Sequence, residues 1–352
     1  MVSSKALYYP SIDIRDEEWL KTAYLFWDEI NTIVPTSLEG RAYKNNTTRY
    51  LEDEGYLRPY FVKPESAVVR NLVDKVKSFA KTEEGKACLN QVAPDNVHHN
   101  PYMDERSQFY LHKEKLPFEI QQLIGDKLGE DGWARVSDNF ADYYMTILAN
   151  AIASQKSMTL LTDATPLANL TTKCSEEAAH RSLSATGSTS SITSVSQSLL
   201  VKMIMDGIKI NPLTSFQDLK IFKDYHRSEL DNFRNGLDEI TSLNMPDGID
   251  YEGMVQCVKD IYDRKVLLAY NDLKAALSGS RISFLNDVSS ICYSGITTTV
   301  LDTMTNLSGP QKLLVGAGVF LTANIIKEYN NRNILKRASK MSYLLSIKNK
   351  LE

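Results

Sequence analysis

The chain has 352 residues, 43% hydrophobic and 24% charged, enough to bury at least one full core and to form two domains. Its formal charge of -4 argues against a nonspecific duplex-DNA binder, which needs a basic surface to displace counterions. Cys88, Cys174, Cys257 and Cys292 are scattered, with neither CxxC pairing nor disulfide-framework spacing, and no cationic stretch with an apolar core opens the chain. Free thiols, no secretion signal and a cytoplasmic or inner-membrane-associated protein are therefore expected.

In chain order, Ala6-Leu-Tyr-Tyr9 reads as a short strand, 10–13 as a loop and 16–31 as a helix with Trp19, Leu20, Ala23, Phe26, Trp27 and Ile30 on its apolar side. Further helices are predicted over 64–82, 117–128 and 133–154, and strands over 109–111 and 158–161. The Ser/Thr-rich stretch 182–198 reads as a flexible surface loop. Residues 199–210 alternate Val201, Met203 and Met205 and predict a strand returning to the N-terminal sheet, which places the domain boundary at Asn211-Pro212.

The opening Ala6-Leu-Tyr-Tyr-Pro10, then Asp16-Glu-Glu-Trp-Leu-Lys21, Phe26-Trp-Asp28 and Ile33-Val-Pro35, resembles the start of a bacterial family of unknown function. The run from Asp142-Tyr-Tyr-Met145 through Leu148-Ala149 to Leu161-Thr-Asp163 continues the resemblance over the first half of the chain. It implies a shared fold region without an assigned reaction.

After the boundary the pattern is helical. Leu219, Phe222, His226, Leu230, Phe233, Leu237 and Ile240 are separated by gaps of 3, 4, 4, 3, 4 and 3, and Val255, Val258, Tyr262, Val266, Ala269, Leu273 and Ala276 repeat that order. Two long amphipathic helices are predicted, folded antiparallel across the polar turn 244–248.

Residues 288–326 carry only Asp302 and Lys312 as charged side chains, divided by Ser308-Gly309-Pro310 into two expected helices. Gly316, Gly318, Thr322 and Ala323 suit close helix association. The second segment has fourteen residues between Lys312 and Lys327, short of the roughly 20 that span a bilayer core, and the first holds Thr297, Thr298, Thr299 and Asp302. The stretch is therefore read either as a conditional membrane hairpin, with Thr298, Asp302, Gly316, Gly318, Thr322 and Asn324 facing a polar lumen or one another, or as a soluble helical core. The tail 327–352 carries seven Lys or Arg against two Glu. Ile334, Ala338, Met341 and Leu345 share one helical face, suited either to anionic lipid or to packing on the chain itself. A helical hairpin followed by a small-residue hydrophobic hairpin is an architecture that resembles membrane effectors of bacterial anti-phage defence.

No P-loop, GxGxxG, HExxH or GxSxG is present, which removes the common phosphate, dinucleotide, zinc and serine-hydrolase signatures. Asp13 and Asp163 each follow a predicted strand, where α/β domains gather ligand-binding groups, and they are either an acid/base or metal-holding pair or caps of the following turns. Between 41 and 63, Arg41, Tyr43, Lys44, Arg49, Tyr50, Arg58, Tyr60 and Lys63 interleave cations with rings, as a pocket for a nucleotide or short oligonucleotide would, with Glu52, Asp53 and Glu54 interrupting. His98 and His99 are assigned to a solvated loop, His112 to a surface or phosphate-meeting position beside Lys113 and Lys115, and His226 to a packed helix face.

The fold class expected is α+β, mostly helical: a mixed α/β domain over 1–211, a long helical hairpin over 212–287, and a hydrophobic hairpin with basic tail over 288–352. The function expected is a membrane-acting effector, a gated pore or channel in anti-phage defence, working as a homo-oligomer. It would be controlled by its N-terminal domain, a nucleotide or short oligonucleotide and a regulatory protein, with no cofactor or metal. The competing expectation is a soluble metal-dependent or acid/base hydrolase using the strand-end carboxylates Asp13 and Asp163.

Overall fold

The computed structural model describes residues 4–90, 110–163, 200–242, 251–271 and 339–351. The chain is α+β and mostly helical. It divides into two compact units, Val2–Ser198 with Asp247–Tyr251, and Leu199–Pro246 with Glu252–Glu352. The stretches 182–198, 244–248 and 288–326, and with them His98, His99, Cys174, Cys292, Thr298, Asp302, Gly316, Gly318, Thr322 and Asn324, lie outside the described residues.

The first unit is built on four parallel strands in the order β3-β2-β1-β6. β1 (Lys5–Tyr8) lies between β2 (Glu29–Pro35) and β6 (Thr159–Leu161), with Leu7 opposite Asn31 on one side and Leu160 on the other. β2 also pairs with β3 (Leu57–Val62). A separate antiparallel pair joins β4 (Tyr110–His112) to β5 (Trp133–Arg135).

Helix α1 (Glu17–Phe26) starts where the Asp16 carboxylate accepts from the Trp19 N–H, with Glu17 and Glu18 in its first turn. It ends five residues earlier than the sequence pattern suggests, because Trp27 is extended and Ile30-Asn-Thr-Ile-Val34 becomes a strand. The β-branched run outweighs the helical spacing of Ile30, and burial from Ile30 to Pro35 is continuous, as in a strand covered on both faces.

Both faces are covered here. On one, Leu7, Tyr9, Ile33 and Val62 join Val69, Val76 and Ile120 and the inward residues Phe140, Tyr144, Leu148 and Ile152 of α7 (Asp138–Lys156). On the other, the Trp19 ring of α1 lies 5.3 Å from that of Tyr8, and the Tyr24 ring 4.3 Å from that of Tyr56.

Two more local readings change, and one segment left without an element gains two. Residues 133–135 are strand β5, and the helix expected from Trp133 begins only at Asp138, after Ser137 caps it. The stretch 64–82 breaks at Asn71 and Leu72 into Ala67–Arg70 and Val73–Ala80. Residues 41–63 are ordered as the helix α2 (Asn46–Asp53) and the strand β3.

In the second unit, residues 200–206 are helical, correcting the expected returning strand. Leu200, Val201, Ile204, Met205 and Ile208 are buried, and steps of 1, 3, 1 and 3 belong to a helix face. The helix predicted over 219–240 is present with a kink: Phe216–Tyr225 and Arg227–Ser242 meet at His226, whose φ of -100 and ψ of 20 leave the helical region. Hydrogen bonds from His226 N to Phe222 O and from Leu230 N to His226 O carry the ladder across. The next helix, Tyr251–Ile261, runs into a π-helical turn over Tyr262–Leu267. That wider turn shifts the buried positions to Val258, Ile261, Val266 and Ala269 and leaves Tyr262 half-buried.

The last helix, Ser342–Lys350, packs on Arg227–Ser242. Tyr343 is fully buried, with its ring 6.0 Å from Phe222 and 6.3 Å from Phe233, and Met341, Leu345 and Ile347 are buried as well. In its described part the basic tail thus spends its apolar residues on its own chain. Among the described residues no helix is long and apolar enough to cross a membrane.

Candidate functional site

In an open parallel sheet, the crevice outside the carboxyl ends of the strands, where strand order reverses, is the common ligand position. Here β2 and β3 lie to one side of β1 and β6 to the other, so the reversal falls between β1 and β6. Tyr8 ends β1 and Asp163 follows β6 by two residues. The Tyr8 hydroxyl donates to Asp163 Oδ1 at 3.0 Å, closing the junction with a side-chain pair.

The electrostatics there follow from burial and like charge. Burial, and then the Asp163 carboxylate, push the Tyr8 hydroxyl well above its ordinary pKa, so it stays a donor. Asp163 keeps contact with solvent, yet the protein around it raises its pKa. The Tyr8 hydrogen bond opposes that rise and the charge of Asp16 adds to it. The edge therefore offers two carboxylates and a phenol beside the Trp19 ring, a set that accepts hydrogen bonds from a donor-rich ligand.

Asp13 is placed differently. It is buried, and its Oδ2 accepts from the backbone N–H groups of Lys44 at 2.8 Å and Asn45 at 2.9 Å, while Oδ1 accepts from the Thr48 hydroxyl. It clamps the loop after β1 to the start of α2, a capping role, and the carboxylate acting on Asp163 is Asp16. Among the described residues no cluster of three or more His, Cys, Asp or Glu could hold a metal ion.

The 41–63 segment does not present one face. Tyr43 is buried, its hydroxyl 2.9 Å from the Thr32 hydroxyl beside β2, so its ring has no free face for a base. Arg58 lies 3.3 Å from Glu29 and donates to Gly55 O, Arg49 donates to Asn46, and Arg41 donates to Ser37 O. Lys44 and Lys63 are exposed, Tyr50 is 38% exposed, and Tyr60 packs against the core on the α7 side.

Three groups carried no sequence signal. Lys115, in the 3-10 turn Lys113–Lys115, is 4% exposed, and among the described residues its amine has no hydrogen-bond or ion-pair partner. On α7, Asp142 Oδ1 and Thr146 Oγ1 are buried without a hydrogen-bond partner, one helical turn apart. His112 is buried, not at the surface, with its ring edge-on to Trp133 at 4.8 Å, and burial lowers its pKa to about 4. It is neutral at pH 7 and no anchor for phosphate. A lysine or aspartate is buried by what folds over it, and neighbours in sequence do not report that.

No protein-family model, curated protein or solved structure matches the chain.

Proposed function

We propose that the protein is a ligand-controlled effector whose N-terminal unit binds a small donor-rich molecule at the β1–β6 junction. The observation that carries this reading is the Tyr8–Asp163 hydrogen bond at the point where strand order reverses. A nucleoside or nucleotide meets the requirement through its ribose hydroxyls, which Asp163 and Asp16 would accept while Trp19 offers a ring edge. The response is assigned to the C-terminal half, where the charge-poor, small-residue stretch 288–326 suits conditional insertion into a membrane as a pore of several copies. Its composition supports that part of the reading.

The experiment has two arms. Small molecules released from purified full-length protein are identified by mass spectrometry, and the same compounds, with a panel of nucleosides and nucleotides, are tested by thermal shift. The expected result is a ligand whose affinity falls about tenfold or more in Asp163→Asn and Tyr8→Phe, the usual loss for one charge-assisted hydrogen bond. No released molecule and no shift across the panel overturns the ligand site. Ligand-triggered dye leakage from anionic vesicles, lost on deleting 289–326 from a chain that still binds ligand, is the expected membrane result. A wild-type chain that binds ligand and neither associates with vesicles nor releases dye overturns the pore.

A further inference from the structure

The side of the sheet covered by α7 holds a group that neither the strand-end carboxylates nor any proposed ligand there explains. Lys115 closes the 3-10 turn between β4 and the helix Phe118–Ile124. Its backbone carbonyl accepts from the Tyr144 hydroxyl of α7 at 2.5 Å, and Leu116 beside it belongs to the fully buried core. The neighbouring Glu114 carboxylate accepts from the Ser37 N–H at 3.0 Å, and this turn packs on β2. The turn is thereby tied to the chain leaving the carboxyl end of β2, the edge at which parallel α/β sheets bind ligands.

A lysine amine is among the most expensive groups to bury, and where it is buried it normally meets a carboxylate or carbonyl oxygen. The ionisable groups near this one are His112, Lys113 and Glu114 of its own segment and Tyr144 of α7, while Asp131, before β5, acts on His112. Glu114 is spent on Ser37, and Tyr144 donates to the Lys115 carbonyl. His112 carries no charge at neutral pH. None of these groups bonds the amine, and burial alone lowers it to about 7, which favours the free base relative to an ordinary lysine. A desolvated neutral amine is the form that attacks carbonyl carbon.

We propose that Lys115 is a reactive amine that condenses with a small carbonyl compound to form an imine at the α7 side of the sheet's carboxyl edge. In that step the Nζ lone pair adds to the carbonyl carbon. The carbinolamine then loses water, and a C=N bond replaces C=O, with no oxidant or reductant consumed. A side chain only 4% exposed favours a short aldehyde or 2-oxo acid over a bulky one. The inference stands apart from the Tyr8–Asp163 junction, on the other face of the sheet, and either can fail alone.

Full-length protein is treated with glyoxylate and cyanoborohydride, which traps the imine as a carboxymethyl amine, and each lysine is followed by peptide mass spectrometry. The exposed Lys44 and Lys63 are internal references. Expected is modification of Lys115 at least about tenfold faster than either reference at pH 7. The ratio should be largest at and below pH 7 and shrink as pH rises above it. Lys115→Met, with an unchanged or raised melting temperature, should lose only that modification. Lys115 reacting no faster than Lys44 and Lys63, or staying unmodified in protein that still shows its cooperative melting transition, overturns the proposal.

Discussion

The two units treat buried ionisable groups differently. In the helical unit, His226 Nδ1 lies 3.1 Å from Glu229 Oε2, Ser346 donates to the same oxygen at 2.8 Å, and Lys350 Nζ lies 3.3 Å from His226 Nε2. One cluster thus joins the kink at His226 to the last helix, and Lys340–Glu239 adds a second tie. In the α/β unit, Asp13 serves the same end, yet buried Lys115 has no such partner on its amine and Asp142 none on Oδ1, while buried hydroxyls without one occur in both units, at Thr146 and Ser342. A network among helices fixes geometry, whereas isolated buried groups cost stability, and proteins keep such costs at sites of function. The contrast points to the α/β unit as the place where chemistry or recognition happens and to the described helical unit as a scaffold.

The largest test of that contrast is the pH dependence contributed by Lys115. Its folded-state pKa is depressed to about 7, so between about pH 7 and pH 10 the unfolded chain binds more protons than the folded one. Stability should therefore climb as pH rises through that window, by up to about 4 kcal/mol if no other group intervenes. Urea denaturation of wild type against Lys115→Met should show this slope in the first and a flatter curve in the second. Equal slopes would mean the amine has a partner in solution and the contrast between units collapses. The helical unit should respond with the reverse sign. Glu229→Ala removes the shared acceptor of Ser346 and His226 and should cost about 2 kcal/mol, with amide protection lost first over Ser342–Lys350. Unchanged protection there would show that the cluster does not hold the last helix.

Much of the scaffold was legible from the sequence because it rests on local signals. Ala6-Leu-Tyr-Tyr9 next to the capped Asp16-Glu-Glu-Trp19 announced a strand and a helix start, and the 3-4 spacing from Leu219 to Ile240 announced the helical unit. Asp163 was flagged because it follows a strand, and its partner Tyr8 was missed because their contact spans 155 residues. The strand β2 hid inside an apparent helix because Trp27 and Ile30 fit a helical stripe, and only the Ile30–Val34 run said otherwise. Residues 200–206 failed in the other direction, since Val201, Met203 and Met205 alternate by chance while the buried set follows the helix. Tyr43 and Arg58 looked like ligand contacts because aromatic and basic residues carry no mark of whether the fold turns them inward or pairs them. Lys115 and Asp142 were invisible for the same reason: charge is written in the sequence, and enclosure is not.

The smallest test falls on Asp142, where the sign is opposite to that at Lys115. Burial, helped by the charge of Asp138, raises its pKa to about 6 from 3.8, and its Oδ1 has no hydrogen bond to support the ionised form. Below pH 3.8 the carboxyl is protonated whether the chain is folded or not, and its protonated form adds stability relative to neutral pH. As pH rises through about 6 that contribution is lost, and the folded protein carries an unsupported carboxylate. Asp142→Asn should therefore be close to neutral at pH 4 and stabilising at pH 8. Asp142 is only half-buried, so solvent screening holds the gain to about 1 kcal/mol. Paired chemical denaturation of wild type and variant at those two pH values measures it. A variant that is less stable at pH 8 would mean the carboxylate does meet a donor in solution, and Thr146, one turn along the same face with its own hydroxyl unpartnered, would be the first residue to examine by a double-mutant cycle.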